Sequence, residues 1–157
     1  DALAVATINK KKISKRDFKK YHPSGNLGKK LLTVGDIMLT GKKIPFINEN
    51  KKIKYALKLI TDKKLGILIA KNSRGETTGI LTDGAIRKHS HKKNNLLEIE
   101  IKKIMTKNPI HVHQDTLVEK ALSLMNTKKI TSLCINEGLK KTIGVVHIHN
   151  ILEKNIQ

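Results

Sequence analysis

Six of the seven histidines in this 157-residue chain fall into three His-x-His pairs: His89/His91, His111/His113 and His147/His149. On a β-strand, residues i and i+2 share a face, so such a pair can present two imidazoles to one metal ion. A tetrahedral site needs further donors, and no second cysteine or obvious carboxylate partner completes a set, so no metal is expected. These histidines are read as solvated or cleft-lining groups. The seventh, His22, stands immediately before Pro23. Its ordinary pKa near 6.5 suits proton transfer at neutral pH. The plainer alternative is that it ends a helix, since a residue before proline is pushed out of helical geometry. Cys134 is the sole cysteine and lies in the apolar run Ser132–Ile135. It forms no internal disulfide and is read as a small hydrophobe, which fits a reducing cytosol.

The elements that must carry these groups are written twice. Val34-Gly35-Asp36-Ile37-Met38 recurs as Ile101-Lys102-Lys103-Ile104-Met105, at an offset of 67. After a two-residue shortening, an offset of 65 carries Ala56-Leu57 onto Ala121-Leu122, Leu68 onto Leu133, Gly79-Ile80-Leu81 onto Gly144-Val145-Val146 and Ile86 onto Ile151. A constant offset through apolar and glycine positions marks two copies of one supersecondary unit. Two copies favour a closed pseudo-symmetric pair over an open solenoid, with a cleft between the halves.

Each copy reads β-α-β-β-α. Ile44–Ile47 is a short strand, and Ile53, Ala56, Leu57 and Ile60 form the buried stripe of a helix. Leu65–Ala70 and Gly79–Thr82 are strands joined by a turn at Asn72–Gly75, and a helix starts at Asp83, which is expected to cap it. Val118, Ala121, Leu122 and Met125 repeat the buried stripe. Ser132–Ile135 and Ile143–Val146 repeat the strands, and His89–Asn95 is a polar linker. Residues 1–32 stand outside the repeat. Helices are expected over Ala2–Lys12 and from Ser14 to about Tyr21, with a turn-rich connector at Ser24–Gly28.

The formal net charge of +19 suggests a polyanion partner. The basic residues are 29 lysines and 3 arginines, and aromatics make up only 3%. Sequence readers favour the arginine fork, and single-strand binders need stacking platforms. The lysines come as scattered doublets, so they are read as compositional drift and no specific nucleic-acid partner is expected. No apolar run approaches a membrane span of about 18 residues. Asp1–Ala6 has no basic region like that of a signal peptide. A cytoplasmic fragment of a longer protein is expected.

Residues 34–157 resemble a tandem pair of cystathionine-β-synthase-type (CBS) domains, the Bateman module. Val34–Met38, Gly79–Gly84, Ile104-Met105-Thr106 and Gly144–His147 carry that resemblance. His22-Pro23-Ser24-Gly25-Asn26-Leu27-Gly28-Lys29-Lys30-Leu31, running into Asp36–Gly41, resembles the junction in D-arabinose-5-phosphate isomerases. Those enzymes join a sugar isomerase (SIS) domain to a CBS pair. Asp1–Ala6 resembles the last SIS helix, while Ser24 departs from a glycine in the family pattern. The resemblance implies an α/β (α+β) fold of pseudo-twofold symmetry. It divides the chain into an SIS tail and junction at 1–32, a first CBS domain at 33–92 and a second at 98–157.

The same resemblance implies interconversion of D-ribulose 5-phosphate and D-arabinose 5-phosphate, which feeds Kdo and lipopolysaccharide synthesis. His22 would be an acid/base residue of an incomplete site, and this chain alone would be inactive. CBS pairs commonly hold an adenosyl ligand with a Thr or Ser at the end of the second hairpin strand and an Asp three residues on. Here those positions are Thr82 and Ala85 in one copy, and His147 and Asn150 in the other. Thr82, Asp83, His147 and Asn150 are therefore the candidate ligand residues. The missing carboxylate would cost about 1.5–3 kcal/mol of affinity. No cofactor is required, and a nucleotide or sugar-nucleotide effector in the cleft is open. The chain is expected to self-associate. Two alternatives are a CBS sensor serving another partner and a non-specific polyanion binder.

Overall fold

A computed structural model describes residues 31–92 and 94–154, together with Gly28. The helices expected in 1–30, His22 and residues 24–27 of the connector lie outside the described residues.

Each copy folds as the repeat requires. In the first, β1 (Phe46–Asn48) runs parallel to β2 (Ile67–Lys71), and β2 pairs antiparallel with β3 (Thr77–Thr82). Helix α2 (Ile53–Lys63) crosses from β1 to β2, and α3 (Asp83–Ser90) follows β3. The short helix α1 (Val34–Ile37) precedes them. In the second copy, β5 (His111–Val112), β6 (Ser132–Glu137) and β7 (Lys141–His147) repeat the same pairing. Helices α4 (Val118–Lys128) and α5 (Ile148–Leu152) complete it. Even the irregularities repeat, since the register shifts at Ala70/Lys71 and again at Ile135/Asn136.

The leading segments are exchanged. Thr106–Lys107, which opens the second copy, forms β4 on the edge of β3 in the first copy. Leu39, its counterpart, bridges Val145 in β7 of the second. The backbone bonds match one for one. Val34 N–H donates to Thr116 O (2.8 Å), as Ile101 N–H donates to Lys51 O (2.9 Å). Gly35 N–H reaches Gln114 O as Lys102 N–H reaches Glu49 O, both at 2.9 Å. Side chains follow the backbone: Val34 is buried in the core of α4, β6, β7 and α5, and Ile101 and Ile104 in that of α2, β2, β3 and α3. Burying one such aliphatic side chain stabilises by about 1.5–3 kcal/mol, so each copy depends on the other's leader.

A third cluster joins the halves. Ile69 and Cys134 occupy equivalent positions in it, with Ile44, Ile67 and Val145. At its margin the equivalent Thr77 and Thr142 meet hydroxyl to hydroxyl at 2.6 Å. Thr142 donates to Asn136 Oδ1 at 2.9 Å, so the proton in the Thr–Thr bond comes from Thr77.

Three expectations need correction. Leu57 is 37% exposed, whereas Ile53, Ala56 and Ile60 are buried. The α2 stripe is turned toward Leu59, which packs on the core, and Leu57 falls just past the stripe's other edge. Its counterpart Leu122 is only partly buried. The first strand starts at Phe46 rather than Ile44. Helix α3 also extends through His89 and Ser90, which were expected in the linker.

The exchange explains two repeated glycines. A Cβ on Gly79 would lie 2.6 Å from Met105 Sδ and 2.8 Å from Thr106 O. A Cβ on Gly144 would run into Met38, 2.9 Å from its Cγ, with Leu39 O at 3.2 Å. Neither glycine has a positive φ, so space alone excludes a side chain. Gly144→Ala is expected to cost about 1–3 kcal/mol in urea unfolding, as overpacking does. In a Met38→Ala background that cost should fall by at least about 1 kcal/mol, because the obstruction is mainly a flexible side chain. Gly79→Ala should be rescued less by Met105→Ala, because the backbone oxygen of Thr106 remains.

Candidate functional site

The exchanged fold leaves two clefts related by the pseudo-twofold. Cleft A, about 360 Å³, draws Ile67, Ile80 and Thr82 from the first copy and Lys129–Ser132 from the second. The second copy's leading segment and the stretch after it add Thr106, Asn108, Pro109 and Ile110. Cleft B, about 430 Å³, sets Ile60, Thr61, Lys64–Gly66 and Asp83 against His147 and His149. The offset of 65 maps Thr82 onto His147 and Lys64-Leu65-Gly66 onto Lys129-Ile130-Thr131.

Thr82 caps α3, its Oγ1 accepting from Ala85 N–H at 3.0 Å. The cap is therefore Thr82 rather than Asp83, because the chain leaves the strand at Thr82 with extended geometry and its short hydroxyl reaches the first-turn amides. As acceptor in the cap, the Thr82 hydroxyl keeps its proton to donate toward a ligand. Asp83 opens the helix, where a carboxylate suits the dipole. It lines cleft B rather than joining Thr82 in cleft A. Successive residues at a strand end point to opposite faces, which separates the pair.

His147 caps α5. Its Nδ1 accepts from His149 N–H at 3.1 Å, and its own N–H donates to Asn150 Oδ1 at 2.9 Å. Asn150 thus spends its carbonyl on the backbone and lines neither cleft. The His147 and His149 rings stack with centroids 4.7 Å apart. Desolvation, and then the neighbouring His149, hold the His147 pKa below its ordinary value. Among the described residues, no cluster of three His, Cys, Asp or Glu side chains has a geometry that could hold a metal ion. Cys134 is buried in the inter-copy cluster, where desolvation pushes its thiol up to about 12.

Cleft A also contains groups that sequence reasoning missed. Ser132 is 6% exposed and its Oγ has no hydrogen-bond partner. A buried hydroxyl left unpaired costs about 1–3 kcal/mol, so one on a cleft wall is a place for a ligand to bond. Lys129 adds a cation, and Thr106, Thr131 and Asn108 add further polar atoms. Among the described residues no carboxylate lines this cleft. Lys64 and Lys129 both end their helices at positive φ, 58° and 56°, where glycine is usual. The signal was present: the Lys63-Lys64 doublet recurs at the repeat offset as Lys128-Lys129.

The CBS domain family matches residues 34–92 and 101–156. Arabinose 5-phosphate isomerase KdsD of Salmonella typhi is 36% identical over 157 residues, covering 99% of this chain and 48% of the relative. The chain thus spans about half the length of the curated relatives it matches. An uncharacterized conserved protein from Pyrococcus horikoshii superposes with a TM-score of 0.71 at 22% identity, over 82% of this chain and 95% of that one. CBSX2 of Arabidopsis thaliana, solved in complex with AMP, superposes with a TM-score of 0.68 at 22% identity, covering 79% and 96% of the two chains. These likenesses establish the fold. Among the described residues no helix is long and apolar enough to cross a membrane.

The desolvation of His147, with His149 beside it, makes stability depend on pH. Because its folded pKa is lowered, the unfolded chain binds the proton first as pH falls through about 6.5. Stability is full above that value and declines below it, until the folded pKa is passed. Urea unfolding at pH 7.5 and 5.5 should therefore show a smaller acid loss in His147→Asn, which keeps a cap without the titrating ring.

Proposed function

This chain belongs to the CBS domain family, and on that premise we propose that it is the regulatory and assembly half of an arabinose-5-phosphate isomerase. The observation that carries the reading is the end-to-end alignment with KdsD, which takes in residues 1–32 as well as both repeats. In this reading 33–92 and 98–157 are the two CBS domains, and 1–32 closes an upstream SIS domain. The complete protein would interconvert D-ribulose 5-phosphate and D-arabinose 5-phosphate for Kdo and lipopolysaccharide synthesis in the cytoplasm, as an oligomer joined through its CBS pairs.

Aldose–ketose isomerisation passes a proton between C1 and C2 through an enediol, which needs a base that titrates near working pH. His22 supplies that base in this reading. The CBS pair would tune the enzyme through an effector in cleft A, where Thr82 and Ser132 offer hydroxyls and Lys129 a charge. A nucleotide or sugar nucleotide suits those groups. Ala85 stands where an adenosyl ligand would meet a carboxylate, so affinity for adenosine nucleotides should be modest.

Two measurements test this. In the full-length protein, His22→Asn should lower kcat for ribulose 5-phosphate isomerisation by at least about 100-fold, with KM and Tm little changed. Near wild-type turnover would make His22 structural, and a full-length protein with no isomerase activity would favour a sensor serving another partner. Separately, Ala85→Asp restores an acceptor for a ribose diol at a position that tolerates acids in the first helical turn. Calorimetry should show AMP binding strengthened by about 10- to 100-fold. Unchanged affinity would mean that cleft A does not hold a ribose in that orientation.

A further inference from the structure

The unpaired Ser132 hydroxyl and the chain arriving from upstream lie at opposite ends of one helix, α4. No side chain caps the start of α4. The incoming chain holds it instead: Val118 N–H donates to Leu32 O at 2.8 Å, and Thr33 bridges Leu117. Thr116 O and Gln114 O, just before the helix, accept from Val34 and Gly35 at 2.8 and 2.9 Å. A Cβ on Gly35 would stand 2.9 Å from Gln114 O, so the two segments pass in close contact. Val118, Ala121 and Met125 bury one face of the helix, which spans about 16 Å. Its far end runs into the wall of cleft A through Lys129, Ile130, Thr131 and Ser132. Lys129 sits at φ 56°, a strained geometry for a residue with a side chain, and its amide reaches Asn126 O only at 3.4 Å.

The first copy differs at both ends of the equivalent helix. Ile53 N–H of α2 donates to Ile99 O at 2.9 Å, and Lys52 bridges Glu100. The start of α2 is therefore held by the link between the copies. At its far end Lys64 N–H bonds Ile60 O at 3.1 Å. Gly66 and Ile67 stand where the second copy has Thr131 and Ser132. The exchange of leaders produces the asymmetry. Each helix is held by the other copy's leader, and the leader that holds α4 is the one continuous with residues 1–31.

We propose that α4 is a lever between cleft A and the upstream chain. Occupancy of cleft A draws the Lys129–Ser132 turn inward, slides α4 along its axis and loosens its hold on Leu32–Gly35. This rests on the reading that cleft A takes an effector. A partner for Ser132 supplies the differential contact that a shift of state requires. Packed helices move by about 1–2 Å in such transitions, enough to break the bond from Val118 to Leu32. The helix that ends at cleft B reports to the link between the copies instead.

The test follows amide hydrogen exchange by NMR in the ¹⁵N-labelled chain. AMP is the probe, and Thr82 and Ser132 report its entry into cleft A. With AMP bound, Val118 and Gly35 should exchange at least about fivefold faster relative to Ile53. Coupling is reciprocal, so freeing the start of α4 should tighten AMP. Val118→Pro removes the donor to Leu32 at a first helical position, where proline is tolerated, and should strengthen AMP binding at least about fivefold. Ile53→Pro, its counterpart, should leave AMP affinity unchanged. A second arm needs neither AMP nor proline. Glycine suits a positive φ, so Lys129→Gly should firm α4 and slow Val118 and Gly35 at least about threefold relative to Ile53. Lys64→Gly should slow Ile53 instead. If AMP leaves Thr82 and Ser132 silent while Lys129→Gly slows Val118, the lever stands and the effector reading of cleft A fails. If AMP shifts Thr82 and Ser132 yet Val118 keeps its rate, the lever is overturned and the effector reading survives. An unchanged rate at Val118 in Lys129→Gly, or equal changes at Val118 and Ile53, would overturn it with or without AMP.

Discussion

The backbone of each half closes the other half. Val34 and Gly35 donate to Thr116 and Gln114, while Ile101 and Lys102 donate to Lys51 and Glu49. Leu39 and Val145 exchange bonds in both directions, at 2.8 and 3.1 Å. A buried amide without a partner costs more than a bond contributes, so neither leader is free to leave its host. Met38 and Met105 then seat on Gly144 and Gly79, and the inter-copy cluster of Ile69, Cys134 and Val145 lies between the sheets. The clefts are consequences of this closure, since their walls come from both copies.

The two halves are not equal, and their differences mark where function lies. The first copy has two more residues between leader and β1, spent on the 3-10 turn Gly41–Lys43. Its leader therefore makes a single bridge at Leu39, whereas the second leader forms β4 and brings Thr106 and Asn108 into cleft A. Cleft A is lined by hydroxyls, one lysine and aliphatic side chains. Cleft B holds Asp83 and two imidazoles, a different chemistry on the same frame.

The repeat was legible because burial and close approach restrict residue type: Ala56/Ala121, Gly79/Gly144 and Met38/Met105 all recur. The exchange was not, since an offset says that two segments are alike but not which half each one packs against. Leu57 was misplaced because periodicity gives a stripe's direction but not its edges. Thr82 and Asp83 were read as one site, and the strand end turns them into separate clefts. Ser132 and Lys129 escaped notice because a serine in a strand and a lysine after a helix are ordinary until a cavity opens beside them.

Separating the halves tests the interlock most directly. Residues 33–92 and 98–157, produced as two peptides, would each lack the leader that fills its core and pairs its backbone. Circular dichroism and urea titration should show no cooperative unfolding for either alone, and an equimolar mixture should recover a cooperative transition as a one-to-one complex. A cooperatively folded monomer from either half would contradict the reciprocal dependence on which the fold and its clefts rest.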